Sequence, residues 1–321
     1  MAELKNKFCW SHSQAKDFAE CKRRHYWNRY GFWGGWDESA SEEARTAYRL
    51  KQMSNKWSLI GDAVDDTIAE LIHRHSVGAE IQYKNALRKA NEFLRDAWKQ
   101  HCSGKWKTRP KHCICIREVY YDEISSSPSI GRDAWADSVK DRTERCLNNF
   151  FTHVLPRLEG ITPQELLPIA RAGAGDPEHF NLGTIKIYAI PDCVLRRSGE
   201  TIIYDWKTGM RRSEHEAQIR IYGLWAQQKH EIALEQIQLY LEYLDTGETA
   251  QVAYTMEQAS ESCDRILGSV NEMKVYILDG DIERNEPKPI EAFPKTEEMR
   301  ACRICNYLEI CNRQFVLKME G

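Results

Sequence analysis

Two strand-like segments in the middle of the chain constrain its fold more than any other feature of the sequence. Residues 184–195 and 201–207 are rich in Ile, Val and Tyr, and the turn-forming residues 197–200 lie between them. Such runs joined by a short turn predict an antiparallel hairpin within a sheet. Helical patterns lie on both sides of this hairpin in the sequence, so the chain is predicted to be an α/β protein.

Three charged side chains lie on the predicted hairpin. Asp192 follows Pro191 in the first segment, and Asp205 and Lys207 lie two residues apart in the second. Because side chains alternate along a strand, Asp205 and Lys207 point to one face, and the hairpin can bring Asp192 beside them. Two ionised carboxylates so close repel each other unless a divalent cation lies between them, and Mg²⁺ prefers such oxygen ligands. The alternative is an exposed ion pair of Asp205 with Lys207.

A helix is predicted directly after the second strand. It begins at Ser213, which has capping-box spacing to Glu216, and extends to about Lys229. Gln218 and Tyr222 lie four residues apart and therefore share one face of this helix. Tyr222 also fits a stripe of core residues, whereas packing alone does not explain Gln218.

The other predicted elements are helices and strands in irregular alternation. Helices are expected at 11–30, from about 61, and at 84–101, 137–158 and 256–278, and strands at 112–122, 237–244 and 251–255. We expect a central mixed sheet built from the strands around Ile187, Ile203 and Leu239. The helices at 84–101 and 137–158 would form a helical lobe at one side.

Length and charge exclude several classes of protein. The 321 residues include 45 Lys and Arg against 48 Asp and Glu, a net charge of −3. A protein that coats nucleic acid with its whole surface is strongly basic, so a nucleic-acid partner would be bound by local patches here. No apolar segment is long enough to cross a bilayer, and the first residues are too charged for a signal peptide. We therefore expect a cytoplasmic protein without a membrane partner.

The cysteines indicate a metal site. Eleven are present, and Cys302, Cys305 and Cys311 lie within ten residues of one another. The two-residue spacing lets one turn direct two thiolates at one metal, and a fourth ligand must come from elsewhere. From the spacing alone, zinc is as plausible as an iron–sulfur cluster.

Taken together, these motifs resemble those of the PD-(D/E)XK nuclease superfamily, in its RecB-type branch. The similar segments are Pro191-Asp192, the run Asp205-Trp206-Lys207-Thr208-Gly209, and Gln218 to Tyr222. Residues 11–26, with the single cysteine Cys21, are similar to the N-terminal helix of the branch, and residues 302–311 to its C-terminal cysteine triplet. The chain resembles both RecB-type exonucleases and the CRISPR-associated exonucleases that trim DNA before spacer integration.

The resemblance implies a restriction-endonuclease-like core in a single domain over residues 1–321. The nuclease core would lie at 181–255 and the cysteine segment at 300–315. The partly helical region 84–180 carries none of the motifs.

The resemblance also implies roles for the residues of the hairpin and the following helix. Asp192 and Asp205, with the main-chain carbonyl of Trp206, would hold a catalytic Mg²⁺ or Mn²⁺, and Lys207 would assist the attacking water. Gln218 and Tyr222 match positions that support the site and the DNA backbone.

One position departs from the family pattern. The family often has a His four residues after the glycine that opens its second helix, and Asp65 stands there after Gly61. An aspartate can ligate a hard cation through oxygen. Equally, it can be a first-turn acid that complements the helix dipole.

Cys21 is the fourth cysteine ligand that the resemblance selects. The resemblance implies a [4Fe-4S] cluster held by Cys21, Cys302, Cys305 and Cys311, an iron–sulfur clasp that joins the two ends of the chain. Zinc is the chemical alternative at the same thiolates.

Two short basic segments are candidates for DNA contact. Lys105, Trp106 and Lys107 combine cations with an aromatic ring, which suits single-stranded DNA. Arg211 and Arg212 follow the second strand, where a scissile phosphate would lie. Each segment can equally be a solvated surface.

The sequence thus predicts a metal-dependent deoxyribonuclease, an exonuclease on single-stranded or end-containing DNA in repair, recombination, or CRISPR- or phage-related processing. The chain has no phosphate-binding GxxxxGK[ST] motif, so a helicase or an integration complex would be a separate partner. The alternative is a catalytically degenerate iron–sulfur subunit that binds DNA or acts as a scaffold. A weaker third option is a zinc-bound interaction module.

Overall fold

The structure, a computed structural model, describes residues 4–126, 131–171 and 175–318. Its strands are β1 Met53–Ser54, β2 Cys115–Ile116, β3 His179–Leu182, β4 Ile185–Tyr188, β5 Cys193–Arg197, β6 Glu200–Lys207, β7 Ile237–Tyr243 and β8 Glu248–Val252. Its α-helices are α1 His12–Glu20, α2 Lys22–Tyr26, α3 Glu42–Lys51, α4 Lys56–Ser76, α5 Tyr83–Ser103, α6 Arg117–Tyr120, α7 Glu123–Ser126, α8 Arg132–Asn149, α9 Ser213–His230, α10 Met256–Lys274 and α11 Met299–Arg303. Short π-helical segments follow α2 and α8, at Trp27–Gly31 and Phe150–Val154.

The chain folds into two compact units. One comprises the described residues of 1–55, 97–128 and 266–321, and the other those of 56–96 and 129–265. The largest sheet and the carboxylates of the predicted hairpin lie in the second unit, and Cys21 and the C-terminal cysteines lie in the first. The assignment of residues 1–321 to one domain stays a prediction.

The largest sheet of the described residues has the strand order β5-β6-β7-β8. The β6–β7 pair is parallel, with Ile203 opposite Leu239, and the two outer pairs are antiparallel. The parallel pair requires a crossover connection, and α9 supplies it. The predicted α/β class with a mixed sheet is therefore confirmed.

The hairpin turn that joins β5 to β6 is confirmed at the predicted place. Arg197 pairs with Glu200, and the two residues between them, Ser198 and Gly199, have φ values of 55° and 83°. Positive φ at both central residues is the requirement of a type I′ turn, whose twist matches that of the strands. This turn fixes the register that aligns Cys193 with Tyr204.

The strand predicted at 184–195 is wrong as one element. It divides into β4, which pairs with β3, and β5, which pairs with β6. Ile187 therefore lies in a separate hairpin and not in the four-stranded sheet. Pro191 lies in the gap, and a proline removes a backbone donor that a continuous inner strand would need.

Helices cover both faces of the four-stranded sheet. On one face, Trp206 contacts Phe150 at a ring-centroid distance of 5.9 Å and stacks with Tyr204. Asp205 and Lys207 alternate with Trp206 and so face the opposite side, where Gln218 of α9 meets Lys207. The charged face of β6 thus looks toward α9.

The helix predicted over 11–30 is interrupted at Cys21. Cys21 has extended backbone angles, φ −160° and ψ 112°, and it ends α1 and precedes α2. Its main-chain N–H donates to Asp17 O at 3.0 Å, and its Sγ accepts from the main-chain N–H of Arg24 at 3.4 Å. The predicted ligand Cys21 therefore lies between two helices and not within one.

The strand predicted over 112–122 is mostly wrong. Only Cys115–Ile116 is extended, paired in parallel with β1, and residues 117–120 form a helical turn. Arg117 is buried there and donates to the main-chain oxygens of Cys305 and Arg303. Tertiary contacts of this kind override the strand preference of Ile, Val and Tyr.

The other predicted helices are present with shifted ends. The helix predicted from about 61 begins at Lys56, and the one predicted at 137–158 begins at Arg132 and continues through the π-helical segment. Each helix in the described residues is either too short or too polar to span a lipid bilayer.

Candidate active site

The structure brings the predicted residues of the hairpin and of α9 together in the second unit. Asp192 directly precedes β5, and Asp205 and Lys207 occupy the carboxyl-terminal end of β6. Because Cys193 pairs with Tyr204, the antiparallel register places Asp192 opposite Asp205. A short hairpin with a fixed turn thus delivers two carboxylates to one end of the sheet.

Lys207 joins the strand to α9 through polar contacts. Its Nζ lies 2.5 Å from Asp205 Oδ2 and donates a hydrogen bond of 2.9 Å to Gln218 Oε1. Gln218 Nε2 in turn donates to Tyr222 Oη at 2.9 Å. Gln218 and Tyr222 are one helical turn apart, so the predicted shared face is observed as a direct hydrogen bond.

Asp192 is held by the main chain of the neighbouring strand. Its Oδ2 accepts a hydrogen bond of 2.7 Å from the main-chain N–H of Trp206. The sequence prediction assigned the carbonyl of Trp206 to the site, and the structure adds this N–H as a second use of the same residue. The bond orients the Asp192 carboxylate relative to Asp205.

Asp65 of α4 lies in the electrostatic environment of the same carboxylates. Burial, together with the charges of Asp205 and Asp62, raises the pKa of Asp65 to about 7, although Arg171 opposes this. Burial also raises the pKa of Asp192 well above its ordinary value, and the charges of Asp205 and Asp65 add to this. Because burial is the main cause, ionised carboxylates at this site need positive charge beside them.

Lys207 balances part of that charge. Burial alone would lower the pKa of Lys207, but the carboxylates of Asp205 and Asp192 outweigh it and raise the pKa. The lysine is therefore held as a cation at the end of β6.

The donor set fits a hard divalent cation. Asp65, Asp192, Asp205 and the carbonyl of Trp206 offer only oxygen atoms, the ligands that Mg²⁺ and Mn²⁺ take. Asp205 Oδ2 is buried without a well-aligned hydrogen bond, beside Lys207 Nζ. No group of three His, Cys, Asp or Glu side chains among the described residues is already arranged to hold a metal.

Arg171 is a charged neighbour of the site that sequence reasoning missed. Its Nη2 donates to the main-chain oxygen of Asp192 at 3.1 Å, and its charge acts on Asp65. It lies in the stretch 84–180, where no motif indicated function. A lone arginine in such a stretch gives no signal in the sequence.

The two predicted DNA-contacting segments differ in exposure. Arg211 and Arg212 are exposed, but Arg211 pairs with Glu216 at 3.1 Å and Glu248 at 2.9 Å, and Arg212 Nη1 lies 3.6 Å from Glu214. Their roles stay predictions.

Trp106 requires a correction. Only 9% of it is exposed, and its Nε1 donates to His101 O while its ring stacks on the His101 ring. The structure therefore does not present the exposed aromatic ring expected between Lys105 and Lys107, because Trp106 packs into an apolar cluster of its unit. The two lysines themselves are exposed.

The four predicted cluster cysteines lie in the first unit as free thiols. Cys305 packs against the apolar cluster that contains Cys302 and against the one that contains Trp27 and Tyr307. Burial, with smaller contributions from the charges of Cys311 and Cys21, raises the pKa of Cys305 to about 12. The thiols are thus gathered in one region, although within the described part of the chain they are not arranged as a group that could hold a metal.

Cations surround these thiols. Arg313 Nη1 lies 3.7 Å from Cys302 Sγ, and Lys295 Nζ donates to Cys311 O at 2.7 Å. The buried side chain of Arg24 acts electrostatically on Cys305. Positive charge of this kind would offset thiolate charge.

Comparison with known proteins identifies the family. No curated protein matches the chain as a relative. The sequence profile of the PD-(D/E)XK nuclease superfamily matches residues 9–312, a range that includes the carboxylates, Lys207, Gln218, Tyr222 and the four cysteines. The mixed sheet flanked by helices is consistent with the restriction-endonuclease-like fold of that superfamily. The chain therefore belongs to the PD-(D/E)XK nuclease superfamily.

Proposed function

We propose that the protein is a Mg²⁺- or Mn²⁺-dependent deoxyribonuclease of the RecB-type branch, an exonuclease on single-stranded or end-containing DNA. The observation that carries the proposal is the continuous polar contact from Asp205 through Lys207 and Gln218 to Tyr222, with Asp192 beside it on the Trp206 N–H. The expected setting is DNA repair or recombination, or CRISPR- or phage-related processing, with any helicase or integration complex as a separate partner.

The oxygen ligands and Lys207 have different tasks in phosphodiester hydrolysis. Asp65, Asp192, Asp205 and the Trp206 carbonyl would hold the cation, which when bound lowers the pKa of water and neutralises phosphate charge. Lys207 Nζ would hold the water that adds to phosphorus as the bond to the leaving oxygen breaks, and the proton of that water ends on the leaving oxygen.

Gln218 and Tyr222 are positioning residues. Gln218 Oε1 accepts from Lys207 Nζ and so fixes the ammonium on the carboxylate face of β6. Tyr222 fixes the amide of Gln218 through its hydroxyl and is itself buried. The adjacent Gly223 lets the ring of Tyr254 approach α9, since a Cβ there would lie 2.6 Å from Tyr254 Cζ.

The test is cleavage of end-labelled linear DNA, single- and double-stranded, with Mg²⁺ or Mn²⁺. We expect Asp192→Asn, Asp205→Asn and Lys207→Met to lower the rate by a factor of about 100 or more, as the loss of a transition-state contact does. Lys186→Met is the matched control, because Lys186 pairs with Asp176 on the surface of the same unit. Closed circular DNA should stay intact.

Three results would contradict this proposal. Cleavage of closed circles would show an endonuclease. Absence of cleavage by the wild-type protein with either metal, or cleavage unaffected by the three substitutions, would favour the degenerate DNA-binding or scaffold subunit, for which Asp65 in place of histidine is the sequence sign.

We also propose that Cys21, Cys302, Cys305 and Cys311 hold a [4Fe-4S] cluster. The proximity of Cys21 and Cys311 to Cys305 and the cations around the thiols support this. Protein purified without oxygen should contain iron and sulfide and absorb visible light, and Cys305→Ser should lose both. A colourless protein that contains zinc and no iron would identify the zinc alternative.

A further inference from the structure

Two cations lie near the ring of a half-exposed tryptophan at the start of α4. Trp57 is 51% exposed, the Nζ of Lys56 lies 4.9 Å from its ring centroid, and the guanidinium carbon of Arg142 lies 4.6 Å from it. What distinguishes Trp57 from other exposed apolar side chains is the pair of cations at its ring.

The packing of α4 against α8 fixes this arrangement. Lys56 Nζ donates to Ser138 Oγ at 2.7 Å, and Arg142 lies one turn further along α8, on the same face as Ser138. Consecutive residues of α4 thus contact consecutive turns of α8. Both cations are held in place before any ligand arrives, which reduces the entropy lost on binding.

The charge around the ring is positive. Arg142 pairs with Asp245 at 3.2 Å, and Arg145 also contacts Asp245, at 2.7 Å. Arg142 and Arg145 therefore share one carboxylate, and Lys56 adds a further cation beside the ring. Asp245 is 9% exposed on its side chain, so it orients the arginines without presenting a broad negative surface.

The same elements lead to the carboxylate site. Trp57 and Asp65 lie on one helix, about 12 Å apart along its axis at 1.5 Å per residue. Asp245 directly follows Leu244, whose main-chain N–H donates to Lys207 O at 2.8 Å. The aromatic surface and the proposed catalytic residues thus share one unit and adjacent chain segments.

We infer that Trp57, Lys56 and Arg142 form a binding site for single-stranded DNA, with a base stacked on Trp57 and the flanking phosphates on the two cations. The inference rests on the proposed function, because it says how the strand is held near the cleavage site. Every base offers a π-face, so such a site binds without sequence preference. Paired bases are stacked within a duplex, so the site distinguishes single strands and frayed ends from duplex DNA.

The first experiment measures binding of a fluorescent single-stranded oligonucleotide by anisotropy in EDTA, where no metal-dependent cleavage occurs. We expect Trp57→Ala to weaken binding about 5- to 150-fold, the range for loss of one stacked base. Trp57→Phe should retain most of the affinity. Trp36→Ala is the matched control, because Trp36 is also exposed, at 44%, but packs on Trp33 and Tyr48.

Two further measurements separate stacking from charge. A strand of abasic nucleotides should bind wild type and Trp57→Ala equally, because only the phosphate contacts remain. Arg142→Gln should lower the slope of log affinity against log salt by about 1, while Arg145 still pairs with Asp245.

The outcomes for the inference and for the proposed function differ. Unchanged single-strand binding by a natively folded Trp57→Ala protein, or no single-strand binding by wild type, overturns the inference. If the Trp57→Ala protein also cleaves DNA with wild-type KM, the nuclease proposal stands and the Trp57 site is not part of it. Conversely, Trp57-dependent binding in EDTA with no cleavage in any metal sustains the inference and overturns the nuclease.

Discussion

Gln218 illustrates how partly buried hydrogen bonds account for a polar residue in an otherwise apolar part of a helix. Its neighbours Ile219, Ile221 and Tyr222 are buried, yet Gln218 accepts from Lys207 and donates to Tyr222. A hydrogen-bonding group that is withdrawn from water needs a partner in the protein. Lys207 provides one for the amide oxygen of Gln218, and Tyr222 provides one for its amide nitrogen. The sequence indicated Gln218 because packing did not explain it, and the partner itself required the fold.

Arg171 is predicted to affect DNA and metal binding in opposite directions. In Arg171→Gln the hydrogen bond to Asp192 O can be kept, but a positive charge beside Asp65 is lost. We expect the Arg171 guanidinium also to attract a DNA phosphate, so its loss should raise KM for DNA about 5- to 30-fold, corresponding to roughly 1–2 kcal/mol. Less repulsion of the cation should lower the Mg²⁺ concentration for half-maximal cleavage.

Initial rates over a matrix of DNA and Mg²⁺ concentrations measure both effects. Arg171→Lys is the matched variant, and it should restore most of the DNA affinity. A merely structural role would lower kcat or stability and leave both concentration dependences unchanged.

His25 should make the first unit sensitive to acid. It is 3% exposed among Phe18 and Tyr30, and burial lowers the pKa of His25 to about 3. The unfolded chain protonates a histidine near 6.5, so the unfolded state binds more protons between these two pKa values. The free energy of unfolding should therefore fall as the pH drops below about 6.5, by about 1 kcal/mol from about pH 7 to about pH 5.5.

Urea denaturation at the two pH values, compared between wild type and His25→Met, isolates this effect. Other titrating groups contribute equally to both proteins, so the difference in free energy of unfolding between them should change with pH. A difference that is the same at both pH values would show that His25 does not titrate as expected.

At the scale of elements, regular patterns were predictable and locally overridden ones were not. The hairpin β5–β6 and the helix α9 were predicted from turn residues, strand alternation and the helical pattern. The predicted capping box at Ser213 is not formed, because Arg212 is the N-cap residue and its side chain makes no capping hydrogen bond. The break at Cys21 and the loss of the strand at 112–122 arise from distant contacts, such as Arg117 with Cys305 O. No local pattern reports such contacts.

Gly268 in α10 and Gly35 before α3 test glycine in two different environments. Gly268 is exposed within this helix, and a Cβ there would meet nothing within 4 Å. Gly268→Ala should raise the free energy of unfolding by about 0.5–1 kcal/mol, because alanine loses less backbone entropy in a helix. Urea denaturation measures the change.

Gly35→Ala is the contrasting substitution. A Cβ at Gly35 would lie 2.2 Å from Ala44 O, a main-chain atom that cannot move without α3. We expect destabilisation of at least about 1 kcal/mol from the forced shift. Equal effects of the two substitutions would contradict the assigned environments.

At the scale of the whole molecule, the small net charge conceals local separation of charge. The chain carries −3 overall. Asp65, Asp192 and Asp205 lie near one lysine and one arginine, whereas Arg142 and Arg145 share one aspartate and Lys56 lies over the same tryptophan ring as Arg142. A protein that binds a cation and a phosphate chain needs both environments, which composition alone does not reveal. The motif residues of the hairpin and α9 were predictable because they lie close together in the sequence. The basic aromatic surface was not predictable, because α4 and α8 are far apart in the sequence.

The proposed cluster would join the two ends of the chain, which predicts strongly non-additive substitutions. Cys21→Ser, Cys302→Ser and the double variant each remove the same group, so the double variant should be no more than about 0.5 kcal/mol less stable than either single one. Limited proteolysis followed by mass spectrometry should show cleavage near α1 and α11 in all three, because either loss frees both ends. Cys263→Ser in α10 is the control and should match wild type. Additive losses of stability, or release of only the mutated end, would mean that these cysteines do not share a cluster.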